Sequence, residues 1–247
     1  MIEEADIPAS VFTTLRWNGA SVAWLDEHLK RLKEHAKRLS IKWPENMLES
    51  LQETNLAGEG NLCSIQLSRD GAVKCTVRES EYSESPLTAL SQAAPRFTEL
   101  VQGTKHAEWE EYSNARSSAN RDGADIALLV HDGAVVDGDR CTPMILDIDG
   151  VAYAPSPEGG GIDSITLQLL IPEIEAAGIP FRYARLTEKM LGRSSEVIVV
   201  GTGVGVAWLS EIDGQPVGRN SPGPLFETCS TAFESKLNTA WTPLGAD

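Results

Sequence analysis

Val197-Ile198-Val199-Val200-Gly201-Thr202-Gly203-Val204-Gly205, followed by Ala207-Trp208-Leu209-Ser210-Glu211-Ile212-Asp213-Gly214, decides the architecture. Glycines after an apolar strand look like the opening of a dinucleotide-binding unit, where they let main chain approach a pyrophosphate. Such a unit needs a helix next. Here the residues from Ala207 to Ile212 read as a second strand and Asp213-Gly214 as the turn after it. The dinucleotide fold is thereby rejected. The glycines instead form a strand end at which main chain and the Thr202 hydroxyl, beside Gly203, can touch something small.

Working outward, the second half of the chain reads as short apolar strands joined by tight turns. Ile126 to Val130 and Ala134 to Val136 flank Asp132-Gly133, and Met144 to Leu146 and Val151 to Tyr153 flank Asp149-Gly150. Aspartate-glycine pairs suit hairpins because both residues tolerate positive φ. Helices are predicted from Trp109 to Asn120, from Ser164 to Ala177 and from Pro224 to Leu237, with Pro172 expected to kink or end the second of these. The first half carries strands at Val11–Trp17, Cys63–Leu67 and Ala72–Val77, hairpin turns at Asn18-Gly19 and Asp70-Gly71, and a strong amphipathic helix from Leu25 to Leu39 with Asp26 as its expected N-cap. Ser, Pro and Ala dominate from Tyr82 to Pro95. The expected organisation is a small α/β domain over residues 1–82, a linker over 83–95 and a larger domain over 96–247, a mixed α+β architecture.

Composition narrows the partners. The chain has 247 residues and a formal net charge of −15, which disfavours nucleic acid and anionic membrane surfaces, since both demand a basic footprint. Met1-Ile2-Glu3-Glu4-Ala5-Asp6 lacks the basic flank and apolar run of a signal peptide, and no stretch approaches the ~20 apolar residues of a membrane span. A cytoplasmic protein acting on small molecules is expected. Cys63, Cys75, Cys141 and Cys229 are scattered and the histidines are not clustered, so no metal site is expected. Cys63 and Cys75 could face each other across a hairpin, although a reducing compartment would leave them as thiols.

Four further elements could carry chemistry. Arg31 shares a helix face with His28 and His35 beside the apolar stripe, so it sits at the edge of the core. Lys105 precedes a helix; an amine in a partly desolvated pocket titrates low enough to attack an aldehyde. Asp137, in Asp137-Gly138-Asp139-Arg140, could keep a pyridine nitrogen protonated. Gly159-Gly160-Gly161 leads into Ser164-Ile165-Thr166 at a helix start, where free N–H groups favour an anion.

In order and spacing these residues resemble the class IV aminotransferases, the fold-type IV pyridoxal-phosphate family that includes branched-chain and D-amino-acid aminotransferases and aminodeoxychorismate lyases. The opening Val11 to Arg16, Asn18-Gly19 and Leu25 to Leu32 is similar to the family's first strand and helix, which implies that Arg31 holds the cofactor phosphate. Lys105 stands before Gly123-Ala124-Asp125-Ile126-Ala127-Leu128-Leu129 as the family's Schiff-base lysine does. Asp137 takes the place of the glutamate that meets the ring nitrogen, Ser164-Ile165-Thr166 that of the G-I-T phosphate motif, and Gly201-Thr202 with Gly203 that of the later G-T element.

The resemblance implies a two-domain fold with a C-terminal pseudo-barrel, bound pyridoxal 5'-phosphate, a homodimer, and transfer of an amino group between an amino acid and a 2-oxo acid through Lys105. A lyase of the aminodeoxychorismate type and a non-catalytic relative are the alternatives. Departures bear more on the substrate side than on the cofactor side. Asp137 is one methylene short of glutamate, Thr13 replaces a glutamate, Leu167 replaces an arginine, Thr142 stands where an asparagine is usual, and Glu110 occupies the position of an aromatic residue, with Tyr112 following.

Overall fold

Strand β1 (Ser10–Arg16) buries alternate side chains, Val11, Thr13 and Leu15, because a pleated strand turns successive residues to opposite faces. The computed structural model describes residues 7–54, 56, 59–80 and 86–244; the reading of Met1 to Asp6 and the boundary at residues 82 and 83 lie outside them. After β2 (Ser21–Ala23), helix α1 (Leu25–Arg38) buries Leu25, Leu32 and Ala36 together with His28 and His35. Its N-cap is Trp24, in the left-handed region at φ 54°, and not Asp26. Asp26 and Glu27 lie in the first turn, where their charge suits the helix dipole.

Helix α2 (Met47–Gln52) and strands β3 (Leu62–Ser68) and β4 (Val73–Arg78) follow. The three strands form an antiparallel sheet in the order β1-β3-β4. Its core joins Val11, Leu15, Leu32, Leu51, Ile65 and Leu67, each worth roughly 1.5–3 kcal/mol for full burial.

Contacts divide the chain into two units, one of residues 1–81, 97–109 and 237–247, the other of 82–96 and 110–236. Residues 97–109, which carry Lys105, and the C-terminal end therefore belong with the first unit, where the sequence had assigned them to the second. The segment read as a linker holds strand β5 (Leu87–Ala93), parallel to two neighbours. Its small and polar residues hide it in the sequence. Asp125 and Asp213 pin it, accepting from the main chain and hydroxyl of Thr88 and of Ser91 respectively.

The second unit continues with α3 (Glu110–Arg121), the antiparallel pair β6 (Ile126–His131) and β7 (Ala134–Gly138), β8 (Thr142–Leu146) and β9 (Ala152–Pro155). Then come α4 (Ile165–Ala176), β10 (Phe181–Ala184), β11 (Leu186–Thr187) and the one-turn α5 (Glu188–Leu191). The hairpin of β12 (Glu196–Gly201) and β13 (Gly205–Ile212) leads to β14 (Gln215–Pro216) and α6 (Pro224–Leu237). Finally β15 (Trp241–Pro243) pairs with β2 in the first unit. Helix α4 runs through Pro172 without ending, held by the burial of Leu167, Leu170 and Ile174.

Strands β5 to β14 make one ten-stranded sheet, ordered β10-β9-β8-β12-β13-β5-β6-β7-β11 with β14 on β13, that curls into a nearly closed pseudo-barrel. Ile126, Leu128, Ile145, Val197, Val199 and Leu209 fill its core. This is the pseudo-barrel that the resemblance implies. Among the described residues no helix is long and apolar enough to cross a membrane and no cluster could hold a metal ion.

One buried acid secures the end of the chain in this unit. Glu196, 5% exposed, accepts from Leu225 N–H through Oε1 and from Phe226 N–H through Oε2, both at 3.0 Å, and so caps α6. Glu196→Ala is expected to cost about 2 kcal/mol, the loss of two charge-assisted bonds at a helix start, as read from urea unfolding.

Candidate active site

In the first unit, the main chain fixes Lys105. Its N–H donates to His35 Nδ1 at 3.1 Å and its carbonyl accepts from Phe12 N–H at 2.9 Å. The ammonium nitrogen lies 4.5 Å from the centre of the Trp109 ring and 5.0 Å from that of Phe12, and the two rings pack edge to face. Aromatic faces attract a cation and exclude water on that side.

Arg31 belongs to the same unit. Its guanidinium donates to Thr13 Oγ1 at 3.1 Å, and Thr13 Oγ1 lies 2.7 Å from His28 Nδ1. The hydroxyl accepts from the arginine and shares a further hydrogen bond with the imidazole, whose direction follows the His28 tautomer. Thr13 is thus an uncharged group on β1 that holds Arg31 in place.

The histidines around this lysine and arginine are neutral. Burial, then the charges of Arg31 and Lys105, hold His28 well below the usual range and take His35 down to about 3. Burial takes His106, packed edge to face on Phe97, down to about 4. A histidine depressed in the folded state binds its proton first in the unfolded chain, so stability is lost as pH falls from 6.5 toward those values. His35 alone is expected to contribute a slope of up to about 1.4 kcal/mol per pH unit. Urea unfolding at stepped pH should show this slope reduced in His35→Gln.

In the second unit, Asp137 on β7 is 5% exposed. Its Oδ1 accepts from Gly138 N–H at 3.0 Å and its Oδ2 from Ile162 N–H at 2.8 Å. Both bonds fix the plane of the carboxylate. The Asp137–Ile162 bond brings the glycine-rich turn to the acid. A Cβ on Gly161 would stand 2.3 Å from the Val136 carbonyl oxygen and 3.4 Å from the Asp137 side chain, so only glycine permits the approach. Gly161→Ala is expected to destabilise the protein by about 3 kcal/mol through overpacking, with a matching fall in the urea midpoint.

Beyond that turn Ser164 caps α4, its Oγ accepting from Leu167 N–H at 3.2 Å. Ile165 and Thr166 supply the first two N–H groups of the helix, which have no intrahelical acceptor. The other glycine turn packs on the β7–β8 turn that follows Asp137. A Cβ on Gly201 would lie 3.0 Å from the Arg140 carbonyl oxygen and 3.3 Å from Cys141 Cα. Thr202 and Gly203 form the turn between β12 and β13. Asp137 and both glycine turns are therefore gathered at one end of the barrel. Arg31 and Lys105 are gathered in the other unit.

Three residues were not singled out for these positions in the sequence. Tyr112 on α3 is 3% exposed; burial and then the charge of Asp137 push its phenol up, against the pull of Arg96. Arg96 donates to the Gly159 carbonyl oxygen at 3.1 Å. Asp139, 2% exposed with Oδ2 3.7 Å from Arg140 Nε, is pushed up to about 7 by burial, which outweighs the Arg116 charge. No spacing in the sequence signals Tyr112 or Arg96 as neighbours of this acid, because α3, residue 96 and the β7–β8 turn meet only through the folded sheet.

Comparisons with known proteins agree with this architecture. A D-alanine aminotransferase of Bacillus licheniformis is 25% identical over 256 residues, spanning 92% of this chain and 87% of that protein. A branched-chain aminotransferase from the thermophilic archaeon Thermoproteus uzoniensis, solved with norvaline, superposes with a TM-score of 0.77 at 21% identity, covering 95% of this chain and 90% of the other. A Legionella pneumophila protein described as a putative 4-amino-4-deoxychorismate lyase superposes with a TM-score of 0.78 at 17% identity, covering 93% and 91%. The model of the amino-transferase class IV family matches residues 10–212. With that match spanning most of its length, the chain belongs to the class IV aminotransferases, a family of pyridoxal-phosphate-dependent enzymes.

Proposed function

We propose that this protein is an aminotransferase that moves an amino group between an amino acid and a 2-oxo acid, with Lys105 as its catalytic residue. The observation that carries this reading is the gathering of a buried, oriented Asp137 and two close-packed glycine turns at one end of the barrel.

The residues fit pyridoxal 5'-phosphate. The first N–H groups of α4, at Ile165 and Thr166, suit a phosphate, and Ser164 leaves them available by capping Leu167 N–H. Thr202, with Gly203 beside it, adds a hydroxyl at the other glycine turn, and Arg31, held by Thr13, adds a guanidinium. Asp137 would hold the ring nitrogen, and Lys105 Nζ would hold the aldehyde carbon. When bound, the cofactor supplies an electron sink for the charge left at the substrate Cα. Lys105 Nζ would take the proton from that Cα and deliver it to the former aldehyde carbon, while Phe12 and Trp109 keep water from the amine. Asp137, held by Gly138 and Ile162, would keep the ring nitrogen protonated.

The reading includes a homodimer and an amino acid substrate, as the family resemblance implies. Single-turnover spectroscopy tests the reaction: one amino acid should convert the bound cofactor from its aldehyde to its amine form, with release of a 2-oxo acid. The fold similarity to the Legionella protein supports a lyase as the second reading. A lyase would release pyruvate and leave the cofactor as the aldehyde. A chain that fails to bind pyridoxal phosphate in titration would be a non-catalytic relative.

A further inference from the structure

Outside these residues, the first unit holds a pair of thiols that the proposed reaction does not use. Cys63 on β3 and Cys75 on β4 sit on adjacent antiparallel strands, with Cys63 opposite Val77 and Cys75 opposite Ile65. That register makes them a diagonal pair on one face, since residues two apart along a strand share a side. The two thiols are close enough to perturb each other, and Thr54, just beyond α2, stands near Cys75. Cys63 is fully buried and Cys75 is half-buried, so solvent reaches the pair only through Cys75.

We propose that Cys63 and Cys75 form a peroxide-reactive dithiol, in which Cys75 is the attacking thiolate and Cys63 the resolving thiol. In the first step the Cys75 sulfur attacks one oxygen of hydrogen peroxide, the O–O bond breaks, hydroxide leaves, and Cys75 becomes a sulfenic acid. In the second the Cys63 sulfur attacks the Cys75 sulfur, the S–O bond breaks, and water leaves with the Cys63 proton, giving a disulfide. Two thiols are oxidised and one peroxide is reduced to two waters.

The assignment of roles follows from access and from the contact between the thiols. Cys75 is half-buried and its neighbour Cys63 draws its thiol below the usual range, whereas Cys63 is fully buried and the same contact, with burial, pushes its thiol up. A favoured thiolate with access to solvent is the group an oxidant meets first. Cys141 and Cys229 lack both properties: they are buried, and burial pushes both thiols up, Cys229 to about 12.

The test treats the native full chain with stoichiometric hydrogen peroxide and maps the unreduced peptides by mass spectrometry. The expected product is one intrachain Cys63–Cys75 disulfide, reversed by dithiothreitol, with Cys141 and Cys229 still free. Cys63→Ser should stop at a Cys75 sulfenic acid that dimedone traps, and Cys75→Ser should leave Cys63 unreacted, with circular dichroism reporting that each variant is folded. The proposal is overturned if wild-type Cys75 accumulates dimedone adduct or sulfinic acid without the disulfide, if no thiol reacts, or if Cys141 or Cys229 oxidises first. None of these outcomes depends on pyridoxal phosphate or turnover, so they are separate from the fate of the aminotransferase reading.

Discussion

Lys105→Ala should lower kcat by at least about 1,000-fold, the share carried by a proton-transferring group, and should remove the absorption band that the cofactor gains on joining the protein. The fold should survive, because the main-chain bonds of residue 105, its N–H to His35 Nδ1 and its carbonyl from Phe12 N–H, are open to alanine equally. What alanine removes is an amine resting on the faces of Phe12 and Trp109. Absorption spectra, kcat and circular dichroism on one preparation separate the outcomes. A folded variant with an unchanged band refutes the lysine assignment, whatever reaction the enzyme performs.

The second large effect is expected at Asp137. Removing a charge that stabilises a developing charge costs about 100- to 1,000-fold in rate, so Asp137→Asn should fall in that range for kcat. Asparagine keeps an oxygen for Ile162 N–H, and its stability loss should stay near 1 kcal/mol, about one ordinary hydrogen bond. Asp137→Ala should be as slow and less stable, because it also strands the Ile162 and Gly138 donors. Equal kcat in wild type and Asp137→Asn would remove this carboxylate from the mechanism. Asp137→Glu is not a simple repair: the added methylene would push into the turn where Gly161 already stands in close contact.

Much of the scaffold was legible because local rules and tertiary packing agree. The Asp-Gly turns at 132–133, 149–150 and 213–214 do join hairpins, with positive φ at Asp132, Gly133, Gly150, Asp213 and Gly214. The strand after Gly201-Thr202-Gly203 is present, and with it the pseudo-barrel in place of a dinucleotide fold. The amphipathic helix carrying Arg31 lies within a residue of its expected limits, although its cap does not. Strand β5 was missed because its stability comes from Asp125 and Asp213, distant residues that satisfy its polar side chains. Residues 97–109 were placed in the wrong part of the chain for a similar reason. Sequence order joins them to α3, while hydrogen bonds to Phe12 and His35 join them to the first unit.

By itself the sequence determined the periodicities, the turns, the acidic balance and the order of candidate groups, from which the family and its cofactor followed. Those are properties of neighbouring residues and of spacing along the chain, and they need no knowledge of what packs on what. Only the tertiary structure decided that Thr13 holds Arg31, that Ile162 orients Asp137, that the glycines at 161 and 201 rest on β7 and on the turn after it, and that Cys63 meets Cys75. Each of those contacts joins residues on different elements, and its energy exists only once the sheet register has brought them within a few ångströms.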